Sequence, residues 1–239
     1  MKKKGCLILG ISVTSLIIIG VIVLYRMFFI PHGINIDKDK YPVTGIDISA
    51  HTGKVDFEEI QKQNIDFVYL KATEGENFVD PKFEENYKNV IKNKFPVGFY
   101  HFFRFNKDGV VQAHNFLQNI KDKETHLPLV IDVEEWGNLS SKSQEEVVSE
   151  ISKFINTVEN STQSKIMIYS NESSYKKYIE GNFDNKEVWI CSFSKKPNIE
   201  KEWVFWQHSH KGKLDGADGW VDINTFNGTY DEWNKYLKK

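Results

Sequence analysis

Residues 127–136 have the sequence Leu-Pro-Leu-Val-Ile-Asp-Val-Glu-Glu-Trp, a short aliphatic run that ends in acidic side chains. Residues 129–133 predict a buried β-strand, and Pro128 lies at its start, where a strand tolerates proline. Because side chains alternate along a strand, Asp132 and Glu134 are expected on one face. Carboxylates are costly to bury, so this stretch indicates either an acidic site or an ordinary solvated strand end.

Strand-like and helix-like segments alternate on both sides of this stretch. Three successive strands begin near residues 66, 96 and 127, and a spacing of about 30 residues is the length of a βαβ unit. After residue 180, strand-like segments follow one another with little room for helices between them. The predicted strands are 43–49, 66–72, 96–103, 128–134, 165–170, 187–193, 203–208 and 219–225. The sequence therefore predicts an α/β fold, an irregular β/α-barrel of TIM-like type with five βα units and three further strands.

The N-terminal region has a different composition. Residues 6–25 contain no charged side chain, and about 20 such residues match the length of a transmembrane helix. Lys2, Lys3 and Lys4 precede the run and only Arg26 follows it, which predicts a cytoplasmic N-terminus and an extracellular remainder. A cleaved signal peptide is the alternative, but its apolar region would be shorter and followed by small residues.

This composition divides the chain into three parts. We expect a cytoplasmic tip and membrane anchor over 1–30, a polar linker over 31–42 and a folded domain over 43–239. The expected location is the cell membrane, crossed once, with the folded domain on the extracellular side.

Charge and cysteine content exclude several functions. The formal net charge is −2, and all charged residues before position 31 are basic, so the predicted domain is acidic. An acidic domain argues against a nucleic-acid partner. Cys6 and Cys191 are the only cysteines, and no Cys/His spacing typical of a metal site is present. Grouped acids could also bind a divalent cation, but without a His–acid cluster or a phosphate-binding loop we predict no metal and no cofactor.

Acidic residues recur on three predicted strands that are distant in sequence. Asp47 on the first strand and Asp222 on the eighth each lie opposite aliphatic neighbours, as Asp132 and Glu134 do on the fourth. Catalytic residues of β/α-barrels lie at the C-terminal ends of strands, so we expect these acids to converge in one pocket. Aromatic side chains are expected around it, and acids with aromatics suit a carbohydrate. The candidates are Tyr69, Tyr100, Phe102, Tyr169, Trp189 and Trp206, with His101 either lining the pocket or serving a structural role.

Seven short motifs in order resemble the glycoside hydrolase family 25 lysozymes over residues 43–238. Each motif is weak alone, and their shared order makes the resemblance specific. They are Gly45-Ile-Asp-Ile-Ser-Ala-His51, Tyr69-Leu-Lys-Ala-Thr-Glu-Gly75, Gly98-Phe-Tyr-His-Phe102, Ile131-Asp-Val-Glu134, Ile168-Tyr-Ser170, Trp206-Gln207 and Val221-Asp-Ile-Asn-Thr-Phe-Asn-Gly228.

This resemblance implies hydrolysis of the β-1,4 bond between N-acetylmuramic acid and N-acetylglucosamine in peptidoglycan. It implies Glu134 as the general acid/base and Asp132 as the group that orients the substrate's 2-acetamido group. Asp47 and Asp222 would complete the acidic cluster. The positions of Lys71, Tyr100, Phe102 and Tyr169 correspond to sugar contacts in the family. With the acetamido oxygen as nucleophile, we expect net retention, the substrate-assisted exception to the two-carboxylate scheme.

Two alternatives stay open from the sequence. The first is a catalytically silent peptidoglycan-binding module on the same fold, because fold does not fix function. The second is a chitinase-like glycosidase, which also uses an Asp-x-Glu strand end. All four acids are present, and the motifs at 45–51 and 221–228 favour the lysozyme prediction.

Overall fold

The computed structural model describes Ser15, residues 18–20 and residues 33–238. The chain divides into two compact units, with the boundary between His32 and Gly33. In the first unit the four described residues are helical. The predicted membrane span, 6–25, lies almost entirely outside the described residues, and among those described no helix has the length and apolarity needed to cross a bilayer.

Within residues 33–238 the strands form a closed barrel. A two-residue strand, β3, extends the sheet beside β2. The barrel closes because β1 pairs with both β2 and β9. The strands are β1 (Thr44–Ile48), β2 (Phe67–Glu74), β3 (Phe78–Val79), β4 (Val97–Phe102), β5 (Leu129–Asp132), β6 (Ile166–Asn171), β7 (Val188–Cys191), β8 (Phe205–Gly212) and β9 (Val221–Phe226). This agrees with the predicted five βα units and three later strands.

The last strand departs from a uniformly parallel barrel. Apart from the short β3, which pairs antiparallel with β2, the pairings among β1 to β8 are parallel. Strand β9 runs antiparallel to both β8 and β1. The short connection between Gly212 and Val221 contains no helix, and a connection without a crossover favours an antiparallel neighbour. The start of β9 therefore lies at the same end of the barrel as the ends of the parallel strands.

Helices cover the outside of the barrel, and most begin at a side-chain cap that the sequence supplies; Phe83–Lys92 begins without one. Asp56 and Asp108 each accept two backbone N–H groups at a helix start, and Ser143 forms a reciprocal capping box with Glu146. A π-helical turn, Tyr175–Ile179, continues the short helix Glu172–Ser174. The helices are α1 (Phe57–Ile60), α2 (Phe83–Lys92), α3 (Gly109–Ile120), α4 (Gln144–Thr162), α5 (Glu172–Ser174) and α6 (Tyr230–Tyr236).

Strand alternation divides the core into two layers. Outward side chains such as Ile46, Leu70 and Ile168 pack between barrel and helices. Inward side chains such as Tyr69 and Met167 fill the barrel. Aromatic residues dominate the inner layer, so the barrel interior is solid below the cleft described next.

Helix α6 closes the end of the barrel where the parallel strands begin. Trp233 lies 5.1 Å from Phe67 and 5.3 Å from Phe226 between ring centroids. The indole is buried against the inner layer. The opposite end, where the parallel strands finish, is therefore the open one.

The segment predicted as a linker over 31–42 belongs to the folded unit from Gly33 onward. Gly33 pairs antiparallel with Ser209 of β8, and the Ile34 N–H donates to the His208 carbonyl at 3.0 Å. Tyr41 is buried against Trp203 and Trp206. The prediction rested on polarity alone, but the apolar residues within this polar segment contact the barrel.

Candidate active site

A cleft of about 930 Å³ opens at the end of the barrel opposite α6. It is lined by the four predicted catalytic acids and by the four predicted sugar contacts. These residues are Asp47, Asp132, Glu134, Asp222, Lys71, Tyr100, Phe102 and Tyr169.

The acids reach the cleft by two different routes. Asp47 and Asp132 lie near the C-terminal ends of β1 and β5, and Glu134 follows β5 by two residues. Asp222 was expected at the C-terminal end of its strand, but it is the second residue of β9. Because β9 is antiparallel, its start lies at the cleft, and Asp222 is the direct cross-strand partner of Asp47.

Asp47 is held by two side-chain amides. Its Oδ2 accepts hydrogen bonds from Gln207 Nε2 at 2.9 Å and from Asn224 Nδ2 at 2.8 Å. The Gln207 carbonyl oxygen accepts from Tyr169 Oη at 2.8 Å, and the Asn224 carbonyl oxygen accepts from Trp189 Nε1 at 2.9 Å. An indole N–H can only donate, so the orientation of Asn224 is fixed and its NH₂ group faces Asp47.

These hydrogen bonds help to decide which of the two carboxyls, Asp47 or Asp222, is protonated. Burial raises the pKa of Asp47 to about 6, opposed by the hydrogen bonds from Asn224 and Gln207. Burial, followed by the charges of Asp47 and Glu134, raises the pKa of Asp222 to about 9. Two adjacent carboxyls that cannot both ionise share one proton, and at neutral pH Asp222 carries it.

Glu134 is arranged to keep a proton near neutral pH. Burial raises its pKa to about 7, and the charge of Asp47 adds to this, while a side-chain hydrogen bond from Asn171 opposes it. Burial and the charge of Glu134 hold the pKa of Asp132 well above its usual range, and Lys71 opposes them. Asp132 Oδ1 is buried and has no hydrogen-bond partner in the part of the chain that the structure describes. Asp132 lines the cleft, and its Oδ1 has unused capacity to accept a hydrogen bond.

A bulge in β2 places the ammonium group of Lys71 at the acidic cleft. Lys71 and Glu74 are three residues apart, which would place them on opposite faces of a regular strand. The pairing of β2 with β4 slips between Lys71 and Thr73, and such bulges re-aim side chains next to active sites. Lys71 Nζ lies 2.6 Å from Glu74 Oε2 and 5.1 Å from the centroid of Phe102.

Arg104 completes a charged rim on this side of the cleft. Its guanidinium binds Glu74 and lies 4.8 Å from the centroid of Phe102. Its Nη1 donates to the Gly137 carbonyl at 2.6 Å. The rim therefore connects β2 to the loop that follows Glu134.

The predicted aromatic wall is only partly present. Trp189 lines the cleft with Tyr100, Phe102 and Tyr169, whereas Tyr69 and Trp206 do not. Tyr69 lies deeper in the inner layer, and Trp206 faces outward into the layer under the helices.

His101 also lies away from the cleft. Its Nδ1 is 2.7 Å from Thr73 Oγ1, and its ring stacks on Phe154 of α4. Burial lowers its pKa to about 3. His101 is thus a neutral core residue, the structural role that the sequence left open.

Sequence reasoning did not single out several residues that complete the site. Asn224 shares a strand face with Asp222, so alternation alone could have indicated it. Gln207 stands within a motif that carried the family resemblance. Arg104 and Asn171 gave no comparable signal, because their placement depends on loop geometry. Among the described residues no group of His, Cys, Asp and Glu has the arrangement of a metal site.

A β/α-barrel with converging carboxyls at the open end is the architecture of a glycosidase. The family description "Glycosyl hydrolases family 25" matches residues 46–217. The chain belongs to glycosyl hydrolase family 25 and is a glycoside hydrolase.

Similar proteins and structures agree with this assignment. The Escherichia coli K12 protein YegX is 36% identical over 204 residues, covering 82% of this chain and 74% of YegX. Lysozyme M1 of Streptomyces globisporus is 31% identical over 207 residues, covering 80% of this chain and 70% of that protein. The structure of a family 25 glycosyl hydrolase from Bacillus anthracis has a TM-score of 0.78 and 34% identity, covering 86% of this chain and 97% of the other.

Proposed function

We propose that this chain is a muramidase that hydrolyses the β-1,4 bond between N-acetylmuramic acid and N-acetylglucosamine in peptidoglycan. The observation that carries the proposal is the cleft in which Glu134, its pKa raised to about 7, lies with Asp47, Asp132 and Asp222. The likeness to Lysozyme M1 supports the same substrate class.

In this proposal Glu134 donates its proton to the glycosidic oxygen as the bond breaks. A general acid works best when its pKa lies near the working pH. After the leaving sugar departs, Glu134 takes a proton from the attacking water and so regains its acid form. One residue therefore serves in both half-reactions.

Asp132 is assigned to the 2-acetamido group of the substrate. Its unpartnered Oδ1 would accept the acetamido N–H, which directs the acetamido oxygen toward the anomeric carbon. That oxygen attacks the anomeric carbon as the nucleophile and forms a five-membered oxazolinium ring. Water then attacks the anomeric carbon from the opposite face and opens this ring. Two inversions give net retention.

The Asp47–Asp222 pair supports this chemistry electrostatically. Asp47, held by two amide donors, supplies negative charge near the positive charge that develops at the anomeric centre. That charge also helps keep Glu134 protonated. Lys71, Tyr100, Phe102 and Tyr169 are assigned to sugar contacts along the walls.

The test uses purified peptidoglycan with the full-length chain and with its Glu134→Gln variant. Released fragments are reduced and identified by mass spectrometry. The proposal expects reduced muramic acid ends from the wild type only. Fragments from neither protein, with both sedimenting with the wall, would favour the binding module. Cleavage of chitin but not peptidoglycan would favour the chitinase-like alternative. The product anomer, observed by NMR before mutarotation, tests retention.

We also propose that residues 6–25 anchor the enzyme in the cell membrane, with the N-terminus in the cytoplasm. The uncharged run and the lysines before it support this. An anchored muramidase would open the wall close to the membrane. Membrane fractionation tests the anchor: recovery of the intact chain in the soluble fraction would exclude it.

A further inference from the structure

One exposed tryptophan stands at the edge of the cleft. Trp136 lines the cleft with the acids, yet 79% of its surface is exposed. A single exposed apolar side chain is common on protein surfaces, so the significance of Trp136 lies in its position at the edge of the cleft. Its position two residues after Glu134 limits the separation of their Cα atoms to about 7 Å.

A tight turn carries this side chain. The Asn138 N–H donates to the Glu135 carbonyl at 3.0 Å, so residues 135–138 form a β-turn with Trp136 at its second position. Gly137, at the third position, has φ of 64°, the backbone that a type II turn requires there. The turn geometry directs Trp136 away from the protein.

The C-terminal half of the turn is fixed to the barrel. Asn138 is buried, and its Nδ2 donates to the Phe103 carbonyl at 2.7 Å and to the Glu134 carbonyl at 3.0 Å. Its Oδ1 accepts from the Phe105 N–H at 3.0 Å. Arg104 holds the carbonyl of Gly137.

The N-terminal half of the turn is fixed to the segment that follows β6. The Glu135 N–H donates to Ser174 Oγ at 3.1 Å. The Glu135 carboxylate accepts from Lys177 Nζ at 2.6 Å and from Tyr178 Oη at 2.8 Å. Thus the residues around Trp136 are anchored while its indole remains open to solvent, an arrangement that reduces the entropy lost on binding.

We propose that Trp136 is a stacking platform for a pyranose ring of the glycan strand, one subsite away from the glycosidic bond whose oxygen Glu134 protonates. The C–H face of a pyranose is apolar and matches an indole face, while its hydroxyls remain in water. The Asn138 bond to the Glu134 carbonyl links the platform to the acid, so the bound ring sets the register of the strand for cleavage. The inference rests on the proposed function for its substrate class.

Binding without turnover tests the platform. The probe is chitotetraose, a soluble β-1,4-linked tetramer of N-acetylglucosamine, titrated calorimetrically into the full-length Glu134→Gln chain. Adding Trp136→Ala is expected to weaken binding roughly ten-fold, the size of a good aromatic contact. Trp136→Phe is expected to retain part of the affinity.

Trp220 provides a matched control. It is 50% exposed and lies two residues before Asp222, but it does not line the cleft. Trp220→Ala is expected to leave binding within about two-fold. Equal affinity in Glu134→Gln with and without Trp136→Ala would overturn the proposal, as would equal losses from both tryptophans.

A second variant tests the anchoring rather than the indole. Asn138→Ala keeps Trp136 but removes three hydrogen bonds of the turn, and it is expected to weaken chitotetraose binding while the tryptophan remains. Unchanged affinity in a folded Asn138→Ala protein would show that the turn does not position the platform. Loss of chitotetraose binding in Trp136→Ala, with no cleavage of peptidoglycan by the wild type, would leave the platform standing and reject the proposed function. Cleavage of peptidoglycan by the wild type, with unchanged chitotetraose binding in Trp136→Ala, would reject the platform and leave the proposed function standing.

Discussion

The titration of Glu134 leads to two predictions, one for activity and one for stability. The general acid must be protonated, so kcat/KM is expected to fall as pH rises through about 7, the raised pKa of Glu134. The pH dependence of kcat/KM reports the pKa values of the free enzyme, so a kcat/KM that stays constant from pH 6 to 9 would contradict this assignment. Stopped assays with solubilised peptidoglycan between pH 4 and 9 measure it.

The same raised pKa destabilises the ionised folded state. A folded pKa above the unfolded value means that the folded chain binds more protons between the two values, so stability falls as pH rises through that window. Glu134→Gln cannot ionise, so at pH 8 its free energy of unfolding is expected to exceed that of the wild type by about 1–3 kcal/mol, with a higher unfolding temperature. At pH 4 the difference is expected to vanish. Thermal unfolding at both pH values tests the sign.

The amide pair around Asp47 makes a separate prediction. Gln207→Met removes one of the two donors that lower the pKa of Asp47, so that pKa is expected to rise above about 6. The acidic limb of the pH–rate profile should move to higher pH, and kcat should fall roughly ten-fold or more. Gln63→Met serves as the control, because Gln63 is half-buried, bonds to the Asp215 carbonyl and does not line the cleft. A fall in kcat without a displaced acidic limb would indicate damage to packing only.

At this scale the sequence predicted which acids share a face but not what holds them. Alternation places Asp132 opposite the aliphatic neighbours on β5, and the same rule applies to Asp47. The donors to Asp47 come from β8 and β9, and only the register of those strands brings them together. The bulge at β2 that turns both Lys71 and Glu74 to the cleft leaves no mark in the local pattern.

At the scale of the elements, a substitution at Gly45 of β1 tests how tightly the barrel interior is packed. A Cβ added at Gly45 would lie 2.2 Å from the ring of Phe67, and that ring is enclosed by Phe205 and Trp233. Gly45→Ala is therefore expected to destabilise the fold by about 1–3 kcal/mol through overpacking. Urea unfolding measures this, and an unchanged midpoint would mean that the inner layer can yield.

Element types were more predictable than strand direction. The alternation of strand-like and helix-like segments was predictable because hydrophobic periodicity acts over a few neighbouring residues. The direction of β9 depends on which neighbours it pairs with, which local pattern does not encode. The expectation that Asp222 ends its strand failed for this reason, although its presence in the cleft did not.

For the whole molecule, the segment before β1 is part of the folded unit. A chain that starts at Val43 would lose Tyr41, the β8 pairing at Gly33 and the Ile34 hydrogen bond. We expect it to be less stable than a chain starting at Gly33 by at least about 2 kcal/mol, since burial of one aromatic side chain alone is worth that much. Comparison of the two thermal unfolding midpoints tests this. Equal midpoints would mean that residues 33–42 do not stabilise the fold and act only as a linker.

The two ends of the folded unit leave it at opposite poles. Gly33 joins β8 beside Ser209, near the mouth of the cleft, whereas α6 closes the far end. A chain coupled to a bead or sensor surface through its C-terminus would thus present its mouth to the solution. Coupling at Gly33 would turn the mouth toward the support, where an insoluble polymer has the least room to enter.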